Sequence, residues 1–201
     1  YLLIHTPNGL IKITTSLIGQ FNFENILAAV TISDSLNLSR YSISKAILSY
    51  KGVKRRLELI DKRQNILFFD DFAQSDQRIS SALSALKNHF PDRKIKVLFQ
   101  PHASFVQYKN SLCELKNSFD LAEEVVLTQL KFSPNIDKKN RNSAKDFRNC
   151  LGPKLIYLPL KKQIIKYYKD NLMSKDILIY MSSGGLEGSR IFKSIVNSFK
   201  K

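Results

Sequence analysis

Ile66-Leu67-Phe68-Phe69 is an apolar run with no polar break, and it stops at two carboxylates, Asp70 and Asp71. Four such residues in a row predict a strand buried on both faces of a parallel sheet. From Leu57 onward, short apolar runs alternate with stretches of helical period. Strands are expected at 57–60, 66–70, 94–99, 124–128, 154–158 and 176–181, and helices at about 76–89, 106–119, 142–150, 161–172 and 186–199. Ile79, Leu83 and Leu86 give the first of these helices an apolar stripe that core packing accounts for, and Pro91 stops it. The alternation predicts an α/β fold, a mostly parallel, Rossmann-like sheet with helices on both faces.

The first third of the chain reads differently. Leu2–Ile4 and Leu10–Thr14 alternate about a Thr6-Pro7-Asn8-Gly9 turn, which predicts a hairpin. Asn22 is a candidate cap for a helix whose buried face carries Ile26, Ala29, Val30 and Ser33. A second helix is expected from Ser39 to Tyr50, with Ile43, Ala46, Ile47 and Tyr50 inward. Residues 131–147 are polar and expected to form a loop. No internal repeat is present.

Composition narrows the classes. A chain of 201 residues makes one or two domains, and 43% apolar with 24% charged residues is a globular balance. No window approaches 18 uninterrupted apolar residues, so no transmembrane helix is expected. The start, Tyr1-Leu2-Leu3-Ile4-His5, has no charged n-region and no initiator Met; it is not a signal peptide and points to a piece of something longer. Cys113 and Cys150 lack CxxC spacing and read as free thiols in a reducing cytoplasm. His5, His89 and His102 are too dispersed for a metal site. The net charge of +15 is spread over four basic stretches without interleaved aromatics. It reads mainly as solvated surface, so nucleic acid is not the expected partner, although a nucleotide substrate would suit it.

The candidate chemistry centres on residues 51–73. A basic turn containing Arg55 and Arg56 precedes the strand that ends in Asp70-Asp71. That carboxyl edge is where open α/β sheets bind ligands. On spacing alone, the group reads either as a polyphosphate and metal constellation or as a basic surface loop with a helix-capping aspartate. Similarly, Asn22 and Asn25 share a helix face where an amide can meet a purine edge, or serve as cap and surface residue.

Gly52-Val53-Lys54-Arg55-Arg56-Leu57-Glu58, followed by Asp70-Asp71-Phe72-Ala73, resembles the Mur ligases of peptidoglycan synthesis. The pattern is most like the branch that couples UDP-N-acetylmuramate to L-alanine, with G-V-x-R-R-F/L-E and then D-D-Y/F-A-H-H-P. Gly19-Gln20-Phe21-Asn22-Phe23-Glu24-Asn25 is similar to the family's G-x-H-N-x-x-N, with Phe21 in place of its His. Phe99-Gln100-Pro101-His102 resembles F-Q-P-H-R-Y-S-R, but the arginine positions are Ala103 and Val106. Gln74, Ser75 and Asp76 replace His-His-Pro. Met181-Ser182-Ser183-Gly184-Gly185 is closer to the sister branch that ligates a murein tripeptide; its glycines would let backbone N–H groups approach an anion.

The resemblance implies that residues 1–53 are the C-terminal part of a central ATP-binding domain and 54–201 a Mur ligase C-terminal domain. It implies a cytoplasmic enzyme using ATP and Mg²⁺ to join L-alanine to UDP-N-acetylmuramate through an acyl phosphate. Asn25 would lie at the adenine, Arg56 at the phosphates, and Arg55 and Asp71 near the ribose and hinge. Gln74, Ser75, His102 and Ser182 would line the amino-acid side, with no catalytic acid or base assigned. Seven glycines, at 9, 19, 52, 152, 184, 185 and 188, form no G-x-x-x-x-G-K-S/T, so this stretch alone should be inactive. Two other readings stand beside this one: the tripeptide-recycling ligase, and a non-catalytic basic binding module. The lost arginines and His pair favour the latter.

Overall fold

A computed structural model describes residues 1–132, 137–184 and 186–200. Part of the expected polar loop, residues 133–136, lies outside the described residues, and so does Gly185. The chain divides into two compact units, Tyr1–Val53 and Lys54–Lys201.

In the first unit, β1 (Leu2–Thr6) and β2 (Gly9–Ile13) pair antiparallel, as the Asn-Gly turn predicts. Two helices follow, α1 (Gln20–Ser35) and α2 (Arg40–Ser49). Ser39 caps α2 by accepting from the Ser42 N–H. Asn22 does not cap α1. The helix begins after Gly19, whose φ of 95° makes the turn, and Asn22 sits inside the first turn, donating to the Ile18 carbonyl at 2.8 Å. Ile4, Ile11, Ile13, Ile26, Val30 and Ile43 form a small core. Ala29, Ala46 and Tyr50, expected inward, are exposed.

The second unit is a six-stranded sheet. Its strands are β3 (Glu58–Arg63), β4 (Ile66–Asp71), β5 (Lys94–Gln100), β6 (Glu124–Leu127), β7 (Leu155–Tyr157) and β8 (Asp176–Ser182). The order is β3-β4-β8-β5-β6-β7; only the β3–β4 pair is antiparallel. β4 is buried at all six positions, as its unbroken apolar run predicts, and β8 at all seven. Successive side chains serve opposite faces. Phe68, Leu178 and Tyr180 join Tyr168, Phe192 and Ile195 in one core cluster, with residues of α6 (Lys161–Asn171) and α7 (Leu186–Asn197). Ile79, Leu83 and Leu86 are buried along α3 (Asp76–His89).

One helix differs from expectation. Residues 106–119 were to be a single helix; instead a five-residue α4 (Ala103–Gln107) breaks at the extended Tyr108 and a 3-10 segment, Lys109–Leu115, continues. The cause is Asn142, buried to 1% exposure ahead of α5 (Ala144–Leu151). Its side chain donates to the Phe105 and Tyr108 carbonyls at 2.7 and 2.8 Å, and its N–H to that of Val106 at 2.8 Å. The Phe105 and Val106 carbonyls would otherwise accept the next turn's N–H groups, whereas the Tyr108 carbonyl still accepts from the Ser111 N–H at 3.1 Å.

Candidate functional site at the carboxyl edge of the sheet

Strand register sets the site. Asp70 pairs with Tyr180, Asp71 with Met181, and Gln100 with Ser182, so the ends of three parallel strands lie level. The loops that leave them carry most of the residues singled out from sequence.

Arg55 is the hub. Its Nε donates to Asp70 Oδ1 at 3.3 Å, and its Nη2 to the Ser182 carbonyl and hydroxyl at 2.8 and 2.9 Å. Its guanidinium lies over Phe72, 5.0 Å from the ring centroid. A planar fork can satisfy this set; a lysine could not. The turn that presents it is strained, with φ of 59° at Arg55 and 47° at Leu57, a region costly for residues with a Cβ. Neighbouring carboxylates hold it. Glu58 Oε2 accepts from the Arg55 N–H at 2.8 Å and Asp71 Oδ2 from the Leu57 N–H at 2.7 Å. Thus Glu58 and Asp71 shape the turn that carries the two arginines. Gly184 donates its N–H to the Ser182 hydroxyl at 3.3 Å, and its φ of 118° is a conformation that favours glycine.

Burial pushes both aspartates up from the usual carboxylate value. Arg55 opposes this at Asp70, and the N–H groups of Leu57 and Ala73 oppose it at Asp71, where Arg56 adds a weaker attraction. Burial also pushes the Tyr180 phenol up to about 12, and that hydroxyl donates to Gln100 Oε1 at 2.6 Å.

Beside this hub lies an open cavity of about 740 Å³. Gln74, Ser75 and His102, three of the four residues expected from the resemblance to act together, line it. Ser182 does not; it is fully buried under Arg55, and Ser183 reaches the cavity instead. Gln74 Oε1 is buried and has no hydrogen-bond partner among the described residues. His102 caps α4 through its ring nitrogen. Arg56 is half-buried near Asp71. Asn25 is exposed on α1 of the first unit.

The sequence reading missed Arg78 and Glu114, an opposite-charge pair of residues on the same cavity. Arg78 had a signal: it lies in the first turn of the helix that leaves β4, at the ligand-binding edge. Glu114 had none, because its position depends on the break in the expected helix. The two positions where the resembled motif has arginines carry no charge here; Ala103 is exposed and Val106 is buried. Among the described residues no three His, Cys, Asp or Glu side chains group to hold a metal ion.

Residues 55–184 match the family described as Mur ligase, glutamate ligase domain. The UDP-N-acetylmuramate–L-alanine ligase of Lachnoclostridium phytofermentans is 30% identical over 176 residues, which is 86% of this chain and 37% of that protein. The ligase of the same name from Desulfitobacterium hafniense is 28% identical, covering 84% of this chain and 38% of its own length. Among solved structures, a murein peptide ligase of Psychrobacter arcticus is 25% identical with a TM-score of 0.63, covering 92% of this chain and 38% of that one. The UDP-N-acetylmuramate–alanine ligase of Thermotoga maritima is similar in fold, with a TM-score of 0.73 at 21% identity, covering 98% of this chain and 44% of that one. The chain therefore spans well under half the length of these relatives.

Proposed function

The chain belongs to the Mur ligase family, and from that membership we propose that it is the C-terminal part of an ATP-dependent ligase joining L-alanine to UDP-N-acetylmuramate in the cytoplasm. The carrying observation is the cavity at the carboxyl edge, which presents both signs of charge, Arg78 and Glu114, to an incoming amino acid. In this reading Arg78 holds the substrate carboxylate, taking the place of the arginines absent at Ala103 and Val106. Glu114, on the same wall, faces the amine end with the opposite charge. Ser75 and His102 complete the wall, and Ser182 acts from beneath through Arg55.

Bound ATP supplies the phosphoryl group that activates the muramate carboxylate as an acyl phosphate. This chain has no G-x-x-x-x-G-K-S/T loop to grip its phosphates, and among the described residues no three His, Cys, Asp or Glu side chains group to hold a metal ion. What this chain offers the nucleotide is Asn25 in the first unit, which the resembled motif puts at the adenine, and Arg56 in the second. Arg55 and Asp71 act by holding the turn that carries Arg56. Residues 1–53 are accordingly proposed as the end of the central ATP-binding domain, and 54–201 as the C-terminal domain that brings the amine.

A second reading has its own support. A cavity of about 740 Å³ has room for more than one residue, as a murein tripeptide would need. The similarity to the Psychrobacter ligase and the Ser182-Ser183-Gly184 sequence point the same way.

Steady-state kinetics of Arg78→Ala in the full-length protein test the cavity assignment. A lost charge-assisted contact of about 1.5–3 kcal/mol predicts a KM for the amine raised about tenfold or more, with the KM for ATP unchanged. An unaltered amine KM would remove Arg78 from the site.

A further inference from the structure

Away from this site, the fold brings together the chain's two cysteines, which lie far apart in sequence. Cys113 is on the 3-10 segment and Cys150 near the end of α5. Both line one cavity of about 400 Å³, with Lys116 beside them. Cys150 Sγ donates to the Leu112 carbonyl oxygen at 2.9 Å. That carbonyl belongs to the peptide leading into Cys113. In a planar peptide the oxygen lies about 2.8 Å from the next Cα, so Cys150 Sγ is within about 6 Å of Cys113 Cα. A disulfide needs Cβ atoms about 3.5–4.5 Å apart and Cα atoms within about 7 Å. With about 2.8 Å more from Sγ to its own Cα, the two Cα atoms lie within about 8.5 Å, so closing the bond takes a side-chain rotation and a shift of the 3-10 segment.

The juxtaposition is built into the fold. Asn142, one residue before the Ser143 cap of α5, holds the backbone at Phe105, Val106 and Tyr108 and so sets where the 3-10 segment starts. Neither thiol is sealed away: Cys113 is exposed and Cys150 half-buried. Burial raises the Cys150 pKa, and the neighbouring Cys113 adds to the rise. That electrostatic coupling agrees with the short separation.

We infer that Cys113 and Cys150 form a thiol-pair modification site that closes to an intramolecular disulfide by exchange with a low-molecular-weight disulfide. The exposed Cys113 thiolate attacks one sulfur of oxidised glutathione, forming a mixed disulfide and releasing one glutathione thiolate. Cys150 gives its proton to solvent, leaves the Leu112 carbonyl, and attacks the Cys113 sulfur, expelling the second glutathione. Two protein thiols are oxidised to one disulfide, and the glutathione disulfide is reduced to two thiols. The bond ties α5 to the segment whose Glu114 lines the carboxyl-edge cavity. The cysteine chemistry itself does not depend on the function proposed for that cavity.

The test is intact-mass and peptide mapping of the reduced chain after incubation with excess oxidised glutathione at neutral pH. The expected product has lost two hydrogens, yields a cross-linked Cys113–Cys150 peptide, and reverts with dithiothreitol. Cys150→Ser should stop at one glutathione adduct on Cys113. Wild-type chain carrying stable glutathione adducts, or keeping both thiols free, would overturn the proposal.

Discussion

Arg55 shows how much one side chain can organise. It joins the strained turn to β4, β8 and Phe72, and its ion pair with Asp70 is largely shielded, with side-chain exposures of 26% and 12%. Removing it leaves Asp70 without its cation and takes from Ser182 the donor shared by its carbonyl and hydroxyl, the hydroxyl keeping only the Gly184 N–H. Arg55→Ala should cost about 3 kcal/mol in urea unfolding, and Arg55→Lys should recover only part of that. Equal stability of wild type and Arg55→Ala would mean the pair is energetically idle. Gly188 makes a second residue-scale case. A Cβ there would overlap the Tyr180 hydroxyl and Gln100 Oε1, two partners in a hydrogen bond. Gly188→Ala should destabilise by about 1–3 kcal/mol through overpacking, measured in the same way.

The buried aspartates predict a pH dependence. Asp71 titrates above its ordinary value of 3.8 because burial outweighs the N–H groups that face it. A carboxyl whose folded pKa is raised favours folding in its protonated form. Its contribution is full below about pH 3.8 and is lost as pH rises through the folded pKa. Asp71→Asn keeps an acceptor for the Leu57 N–H and removes the titration. From neutral pH down to pH 4, wild type should gain stability relative to this variant. Parallel urea midpoints across that range would contradict the assignment.

At the scale of elements, the strands were legible and one helix was not. β4 and β8 are continuous apolar runs, and burial on both faces of a parallel sheet is what such runs require. The helix expected at 106–119 broke where Asn142, distant in sequence, took the Phe105 and Val106 carbonyls. No local pattern encodes that. The same break carries Glu114 to one cavity and Cys113 to another, so half the cavity chemistry was hidden with it. Gln74, Ser75 and His102 could be read because they follow strand ends directly. The Asn22 cap failed for a local reason: a positive-φ Gly19 started the helix earlier. Asn142→Ala would leave the Phe105 carbonyl without its donor, at a cost of about 1–3 kcal/mol. It should also speed amide exchange across residues 109–115; unchanged exchange there would show that the 3-10 segment is held by something else.

At the scale of the whole molecule, the two units have unequal cores. The first rests on one hairpin, two helices and a small cluster of buried isoleucines and valine. Leu27, Ile32, Leu36 and Leu48 of its helical region remain exposed. The second has a six-stranded sheet packed between helices. Little buried apolar surface means low local stability. Residues 1–53 should therefore exchange their amides faster than the central strands β4, β5 and β8. Uniform protection over both units would contradict this.

The central claim is that this chain is the amine-binding part of a Mur ligase. Phosphate release by the full-length protein, with ATP, Mg²⁺ and UDP-N-acetylmuramate, tests it most directly when L-alanine and the murein tripeptide are compared. Release that depends on L-alanine is the predicted result, and dependence on the tripeptide instead would choose the second reading. No release with either amine, from folded protein, would contradict the ligase assignment and leave the substitutions at Gln74, Ser75, Ala103 and Val106 as marks of a relative that has lost the reaction.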